Sequence, residues 1–158
     1  MAGRGETDGM YKRILVPLEN SSYDQVIIDH IQQLARENGS SIVLIHVADG
    51  WAARNIGQLA LRESEEMQVD REYIEKIENA LDGAGFDADA ILASGDPADE
   101  IVEAAEREKC DLIAMATHGH RFIGDVIRGS VANAVRHKSL VPVLMVRGNP
   151  PPKEQKHK

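Results

Sequence analysis

What these 158 residues have little of narrows the field first. There is one cysteine, Cys110, so no internal disulfide can form and the chain fits a reducing compartment. It stands just ahead of an apolar run, where a packed thiol is expected rather than a reactive one. No apolar stretch approaches the roughly 20 residues that a spanning helix needs, so no membrane partner is expected. Positive charge is also scarce. Eighteen Lys and Arg stand against 26 Asp and Glu, a formal net charge of −8, which argues against a nucleic-acid surface. Residues 1–8 hold one Arg, two acids and no apolar core, so they do not read as a secretory signal, and a cytoplasmic address is the expectation. Two familiar phosphate motifs are missing too: Gly-x-x-x-x-Gly-Lys-Ser/Thr, and Gly-x-Gly-x-x-Gly after a strand. Their absence disfavours a P-loop NTPase and a dinucleotide dehydrogenase.

What is present reads as one domain with a 42% hydrophobic composition, long enough to bury roughly 70% of its unfolded surface. Residues 1–10 and the Pro- and Lys-rich 148–158 are expected to be mobile ends around a domain at 11–147. The first strand is read at 11–17, closed by Pro17. Ser21-x-x-Asp24 has the form of a capping box, and Ile27, Ile28, Ile31, Leu34 and Ala35 give the following helix one apolar face. Asn38-Gly39 supplies its left-handed stop. Asp24 and Asp29 read as surface charge on that helix.

Residues 41–47 are nearly continuous in aliphatic side chains, as in a strand covered on both faces. From 48 to about 62 no period is clear, and a partly ordered connection is expected. A charged helix then runs to about Leu81, with Val69, Tyr73, Ile77 and Leu81 at steps of four. Residues 86–93 suit an edge strand. Asp96-Pro97-Ala98-Asp99 starts a helix with Ile101, Val102 and Ala105 inward. A strand into Ala116, a helix from Ser130 to about His137 and a last strand at 141–146 follow. Five strands alternating with four helices predict an α/β, doubly wound parallel sheet with helices on both faces. In such a sheet a ligand sits at the carboxyl ends of the strands where the winding reverses.

The stretch around which the chain is organised is 111–146. Its strand breaks into glycines at 119, 124 and 129, which let backbone amides approach a ligand. A helix starting at Ser130 would aim its positive end into the same space, giving the parts of a phosphate cradle. The loop carries Arg121, Arg128, His118 and His120 against one acid, Asp125, a basic patch in an acidic protein. Arg121 and Arg128 either pair with phosphates or face solvent. Ser130 also reads as a plain helix cap. His118-x-His120 lacks a cysteine or carboxylate to complete a metal set and reads as solvent-facing loop histidines, and His46 as a hydrogen-bonded core residue.

The pieces Tyr11-Lys-Arg-Ile-Leu-Val-Pro17, His46-Val47, Thr117-His118-Gly119, Gly129-Ser130-Val131 and Pro142-Val-Leu-Met-Val146 occur in one order across 11–147. On that set the chain resembles the universal stress protein family. The resemblance implies a sheet of order 3-2-1-4-5, the adenine nucleotide alpha hydrolase-like arrangement, and in one branch ATP held where the winding reverses. Members that bind nucleotide have Gly-x-x-Gly-(nine residues)-Gly-Ser/Thr. Gly119, Gly129 and Ser130 carry over, with Val131 as a further backbone amide and Val47 at the position whose main chain meets adenine. The implied contacts are completed by Pro17, Leu18, Thr117 and Arg121. Two positions depart from the pattern: Ala116 stands where the first glycine is usual, and Glu19 where an Asp usually follows the first strand. One extra methyl in a tight pocket costs about 1–3 kcal/mol, against roughly 8 kcal/mol for micromolar binding, so Ala116 weakens an ATP site more plausibly than it abolishes one.

The resemblance implies a regulatory, nucleotide-binding stress protein working as a homodimer. Its ligand would be ATP, AMP or a cyclic nucleotide, with a divalent ion such as Mg bridging the phosphates and turnover limited to slow hydrolysis or self-phosphorylation. The alternative is a dimeric interaction module without ligand, joined through the edge strand at 141–146. An α/β enzyme acting on a small acidic or phosphorylated substrate is a third reading, and no catalytic pair supports it.

Overall fold

The computed structural model describes residues 9–49, 56–118 and 125–148, and the side chains of all of these except 49, 56–64, 118 and 125–130. Strands and helices alternate as β1 (Arg13–Pro17), α1 (Asp24–Asn38), β2 (Ser41–Asp49), α2 (Ile56–Gly83), β3 (Ala88–Gly95), α3 (Pro97–Arg107), β4 (Leu112–His118), α4 (Asp125–Lys138) and β5 (Val143–Gly148). The five strands form one sheet, order β3-β2-β1-β4-β5, with every pairing parallel.

Alternation along each strand divides the core in two. Ile14, Val16, Ile42, Leu44, Leu112 and Ala114 face Ile27 and Ile31 of α1 and Ile74 and Leu81 of α2. Leu15, Val43, Ile45, Ile113 and Met115 face Ile101, Ala104 and Ala105 of α3 and Ala132 and Val135 of α4. Both faces of β2 are buried, as its unbroken aliphatic run requires. Gly39 closes α1 at φ 67°, its amide donating to the Ala35 carbonyl, so the Asn38-Gly39 stop is the left-handed cap expected. Asp96 caps α3 by accepting the Asp99 amide at 3.0 Å, with Pro97 in the first turn.

Several boundaries differ from the sequence reading. β1 begins at Arg13 because the Asp111 carboxylate takes the amides of Lys12 (2.8 Å) and Arg13 (3.1 Å). β3 runs Ala88–Gly95, and β5 begins after Pro142, which has no amide to donate, and includes Gly148. α2 reaches back to Ile56, through part of the stretch expected to be a partly ordered connection. Its buried stripe passes through Tyr73, Ile74, Ile77 and Leu81, and Val69 lies outside it, 58% exposed. α4 starts at Asp125 rather than Ser130. A glycine inside a helix costs about 0.5–1 kcal/mol, too little to end one, so Gly129 and Ser130 fall in the second turn.

At the amino ends of the strands Arg13 ties four elements together. Its Nε donates to the Glu108 carbonyl at 2.9 Å and its Nη1 to Ser41 Oγ at 3.2 Å, while Nη2 meets the carboxylates of Asp89 and Glu108, both at 3.3 Å. Beside this cluster a cavity of about 550 Å³ opens between Lys12, Ser40, Ser41 and Asp87, but in a doubly wound sheet the carboxyl ends are where a ligand is taken.

Candidate functional site

Because β1 continues into α1 on one face and β4 into α4 on the other, their carboxyl ends diverge. A cavity of about 510 Å³ opens there, within the range of small-molecule sites. Pro17 at the end of β1 and Leu18 and Glu19 just after it line it, with Ile45, His46 and Val47 from β2 and Met115 and Ala116 from β4. Asp96, Pro97 and Ile101 enter from the start of α3, and Val131 from α4.

Six of the residues singled out in the sequence therefore meet in one place: Pro17, Leu18, Glu19, Val47, Ala116 and Val131. Thr117 is in β4 but does not line the cavity. Gly129 and Ser130 are within α4, immediately before the lining Val131. Since α4 begins at Asp125, the amides left without a helical partner are those of its first turn, not those of Gly129 and Ser130. A glycine two residues before Val131 still leaves the helix surface without a Cβ there. Gly119, Arg121 and His120 lie outside the described residues, as do the side chains of His118 and Arg128. Among the described residues no group of three His, Cys, Asp or Glu could hold a metal ion.

The sequence reading missed Asp24. Taken as surface charge, it is 3% exposed and lines the cavity. Its Oδ1 accepts the Glu19 amide at 3.0 Å, and its Oδ2 accepts the Ser21 amide at 3.1 Å and the Tyr73 hydroxyl. The capping box read from Ser21-x-x-Asp24 is only half formed: Asp24 takes the Ser21 amide, but the N-cap of α1 is Tyr23 with no side-chain cap, and the Ser21 hydroxyl accepts the Tyr23 amide at 3.4 Å. Tyr73 in turn has its phenol pushed up, first by burial and then by its hydrogen bond to the Asp24 carboxylate and by that carboxylate's charge.

His46 is the buried, hydrogen-bonded residue expected. Its Nδ1 lies 2.9 Å from the Leu18 carbonyl, which can only accept, so Nδ1 donates. Its Nε2 lies 3.3 Å from Asp70 Oδ2 of α2. Cys110 is buried on the α3/α4 side. Burial pushes its thiol up to about 11, Arg13 pulling the other way and Glu108 and Asp111 adding to the rise.

The lining thus has an apolar floor and three carboxylates, Glu19, Asp24 and Asp96, with no Lys or Arg among the described lining residues. It can accept hydrogen bonds from amino and hydroxyl groups, and the sign of its charge disfavours a phosphate at this end.

Residues 10–147 match the family model described as Universal stress protein family. The chain belongs to the universal stress protein family. Among its curated relatives, Universal stress protein MJ0577 of Methanocaldococcus jannaschii is 30% identical over 155 residues, covering 87% of this chain and 96% of the relative. Universal stress protein YxiE of Bacillus subtilis is 27% identical, covering 87% of this chain and all of the relative. The solved structure of MJ0577 superposes with a TM-score of 0.79 at 29% identity, covering 90% of this chain and 99% of that one. Two more distant structures share the fold, each with a TM-score of 0.64: a universal stress protein in complex with cAMP, at 21% identity, and one from Archaeoglobus fulgidus in complex with dAMP, at 20%. They cover 87% and 85% of this chain, and each 97% of its own. The doubly wound architecture is the one read from the alternation of strands and helices, and the sheet order is the one the family resemblance implied.

Proposed function

We propose that this universal stress protein binds an adenine nucleotide at the divergence of β1 and β4, and that occupancy alters what a cytoplasmic homodimer presents to a partner protein. The observation that carries the reading is the cavity of about 510 Å³ in which Pro17, Leu18, Glu19, Val47, Ala116 and Val131 converge. The base and ribose belong at the carboxylate end, where the Val47 main chain and Glu19 meet the adenine edge and acceptors face the sugar hydroxyls. The phosphates belong toward the first turn of α4, with Gly119, Arg121 and Arg128 as further proposed contacts. Complexes of family members with cAMP and dAMP support an adenine ligand.

Asp24 already accepts three hydrogen bonds, and both nitrogens of His46 face protein oxygens, so neither is poised as a base. Binding rather than rapid turnover is therefore the expected chemistry, with hydrolysis or self-phosphorylation slow at most. A divalent ion such as Mg would be held chiefly by the phosphates. Calorimetric titration with ATP, AMP and cAMP tests the reading. Micromolar to submillimolar affinity for at least one is expected, and no binding below millimolar by a folded protein rejects it.

A second reading, an interaction module without ligand, draws on β5. It is an edge strand whose Val143, Leu144, Met145 and Val146 are only half-buried. A folded dimer that binds none of the three nucleotides would favour it.

A further inference from the structure

Two side chains of α2 that stay outside the cavity each contact one that lines it. Asp70 and Tyr73, three residues apart and so on one face of the helix, reach His46 and Asp24 respectively. Both relays end on the same loop. His46 Nδ1 donates to the Leu18 carbonyl at 2.9 Å. Asp24 takes the amides of Glu19 at 3.0 Å and Ser21 at 3.1 Å. Between those two amides Asn20 has φ 61°, a left-handed conformation that Asn tolerates but does not prefer to extended backbone. The loop shape that places Leu18 and Glu19 against the cavity is thus held from outside by α2.

We propose that Asp70 and Tyr73 are positioning residues for the pocket: acting through His46 and Asp24, they fix loop 18–21, and the seating of α2 and ligand binding are coupled. The coupling to ligand rests on the nucleotide reading above; the hold on the loop does not. With Asp24 only 3% exposed, water does not readily replace the Tyr73 hydroxyl on its carboxylate. Loss of that donor and of Asp70's charge frees Asp24 and His46 to shift, and the loop with them. By reciprocity, a ligand that orders the loop must seat α2 by the same factor.

The test is hydrogen–deuterium exchange and ATP calorimetry on the full chain, comparing wild type, Tyr73→Phe/Asp70→Asn, and Glu75→Gln, a control on the exposed face of α2. Without nucleotide, the double variant should exchange the amides of loop 18–21 at least about tenfold faster than wild type while β4 and α3 stay unchanged. ATP should slow exchange around residues 70–77 of the wild type, and the double variant should bind ATP roughly tenfold more weakly. The control should match wild type throughout. Unchanged loop exchange in the double variant overturns the positioning role, and unchanged ATP affinity overturns the coupling while leaving the nucleotide reading intact. Tyr73→Phe alone, which keeps the ring, answers the exchange question if the double variant does not fold. A wild type that binds no ATP removes the nucleotide reading, and the ligand-free exchange then decides the positioning role by itself.

Discussion

The buried carboxylate of Asp24 accepts the backbone amide of Glu19 at 3.0 Å, so the first residue of α1 holds the loop that follows β1. Replacing Asp24 with Ala leaves three donors, the Glu19 and Ser21 amides and the Tyr73 hydroxyl, without their acceptor. Each buried orphan costs about 1–3 kcal/mol, and partial access of water to the loop lowers the sum. Asp24→Ala should therefore destabilise the fold by about 2–4 kcal/mol, read as the urea midpoint. Asp29→Ala, five residues on and exposed, should change it by less than about 0.5 kcal/mol. Equal effects at the two positions would mean that Asp24 does not act as the anchor.

Two groups make the fold sensitive to alkali. The Cys110 thiol is raised from 9.0 to about 11, chiefly by burial, and the Tyr73 phenol is raised above its ordinary 10.0 by burial and by Asp24. Both folded pKa values exceed the unfolded ones, so the folded state binds protons more tightly and stability falls as pH rises. The loss should begin near pH 9 for Cys110, where the unfolded thiol starts to ionise, and be complete for that group above about 11. The Tyr73 contribution starts near pH 10. Urea midpoints between pH 8 and 11.5 should drop in wild type, less in Cys110→Ala and less in Tyr73→Phe. The same burial predicts that Cys110 reacts with a thiol reagent at pH 8 only as fast as the protein opens. Rapid labelling of the folded protein would contradict this.

How much of this was legible in the sequence depended on distance along the chain. The aliphatic run of β2, the Asn38-Gly39 stop and the Asp96-Pro97 start are local signals, and each appears where the residues place it. Of the six cavity residues, Leu18, Glu19, Val47 and Val131 came from the family resemblance, while Pro17 and Ala116 were legible at strand ends, where a doubly wound sheet puts its ligand. Asp24 was not, because its hydroxyl partner Tyr73 lies 49 residues away on a helix whose rotation no local pattern fixes. Asp96 and Ile101 were read only as a cap and a core face. Their place in the lining follows from where α3 crosses the sheet. The start of α4 was misread because a glycine-rich stretch looks like a break when one glycine merely weakens a helix.

Ala116 separates weakened binding from lost binding. It lines the cavity on β4 with its Cα paired to Val146, and its methyl is the one group added to the family's glycine position. Under the nucleotide reading, Ala116→Gly should tighten ATP binding by about 5- to 150-fold, equivalent to about 1–3 kcal/mol of relieved crowding. It should also cost the strand about 0.5–1 kcal/mol of stability. Ala116→Val should abolish measurable binding with the fold retained. Calorimetry showing that glycine leaves affinity unchanged would place the ligand away from this wall.

The two edges of the sheet are not equivalent, and the difference predicts the dimer. β3 carries Asp89, whose side chain is 60% exposed, and a charge of that kind discourages a second strand from pairing there. β5 runs Val143-Leu144-Met145-Val146 before its first charge at Arg147, half-buried, and among the described residues no strand pairs with its other side. Two such edges meeting about a two-fold axis would satisfy those amides and cover the apolar side chains on both faces. Val143 and Met145 share the α3/α4 face, so Val143→Lys/Met145→Lys adds four positive charges to one side of a symmetric dimer seam while β4–β5 pairing survives. Sedimentation should show a wild-type dimer and a monomeric variant with unchanged far-UV circular dichroism. A variant that stays dimeric, or a wild type that is already monomeric at tens of micromolar, would exclude the β5 seam.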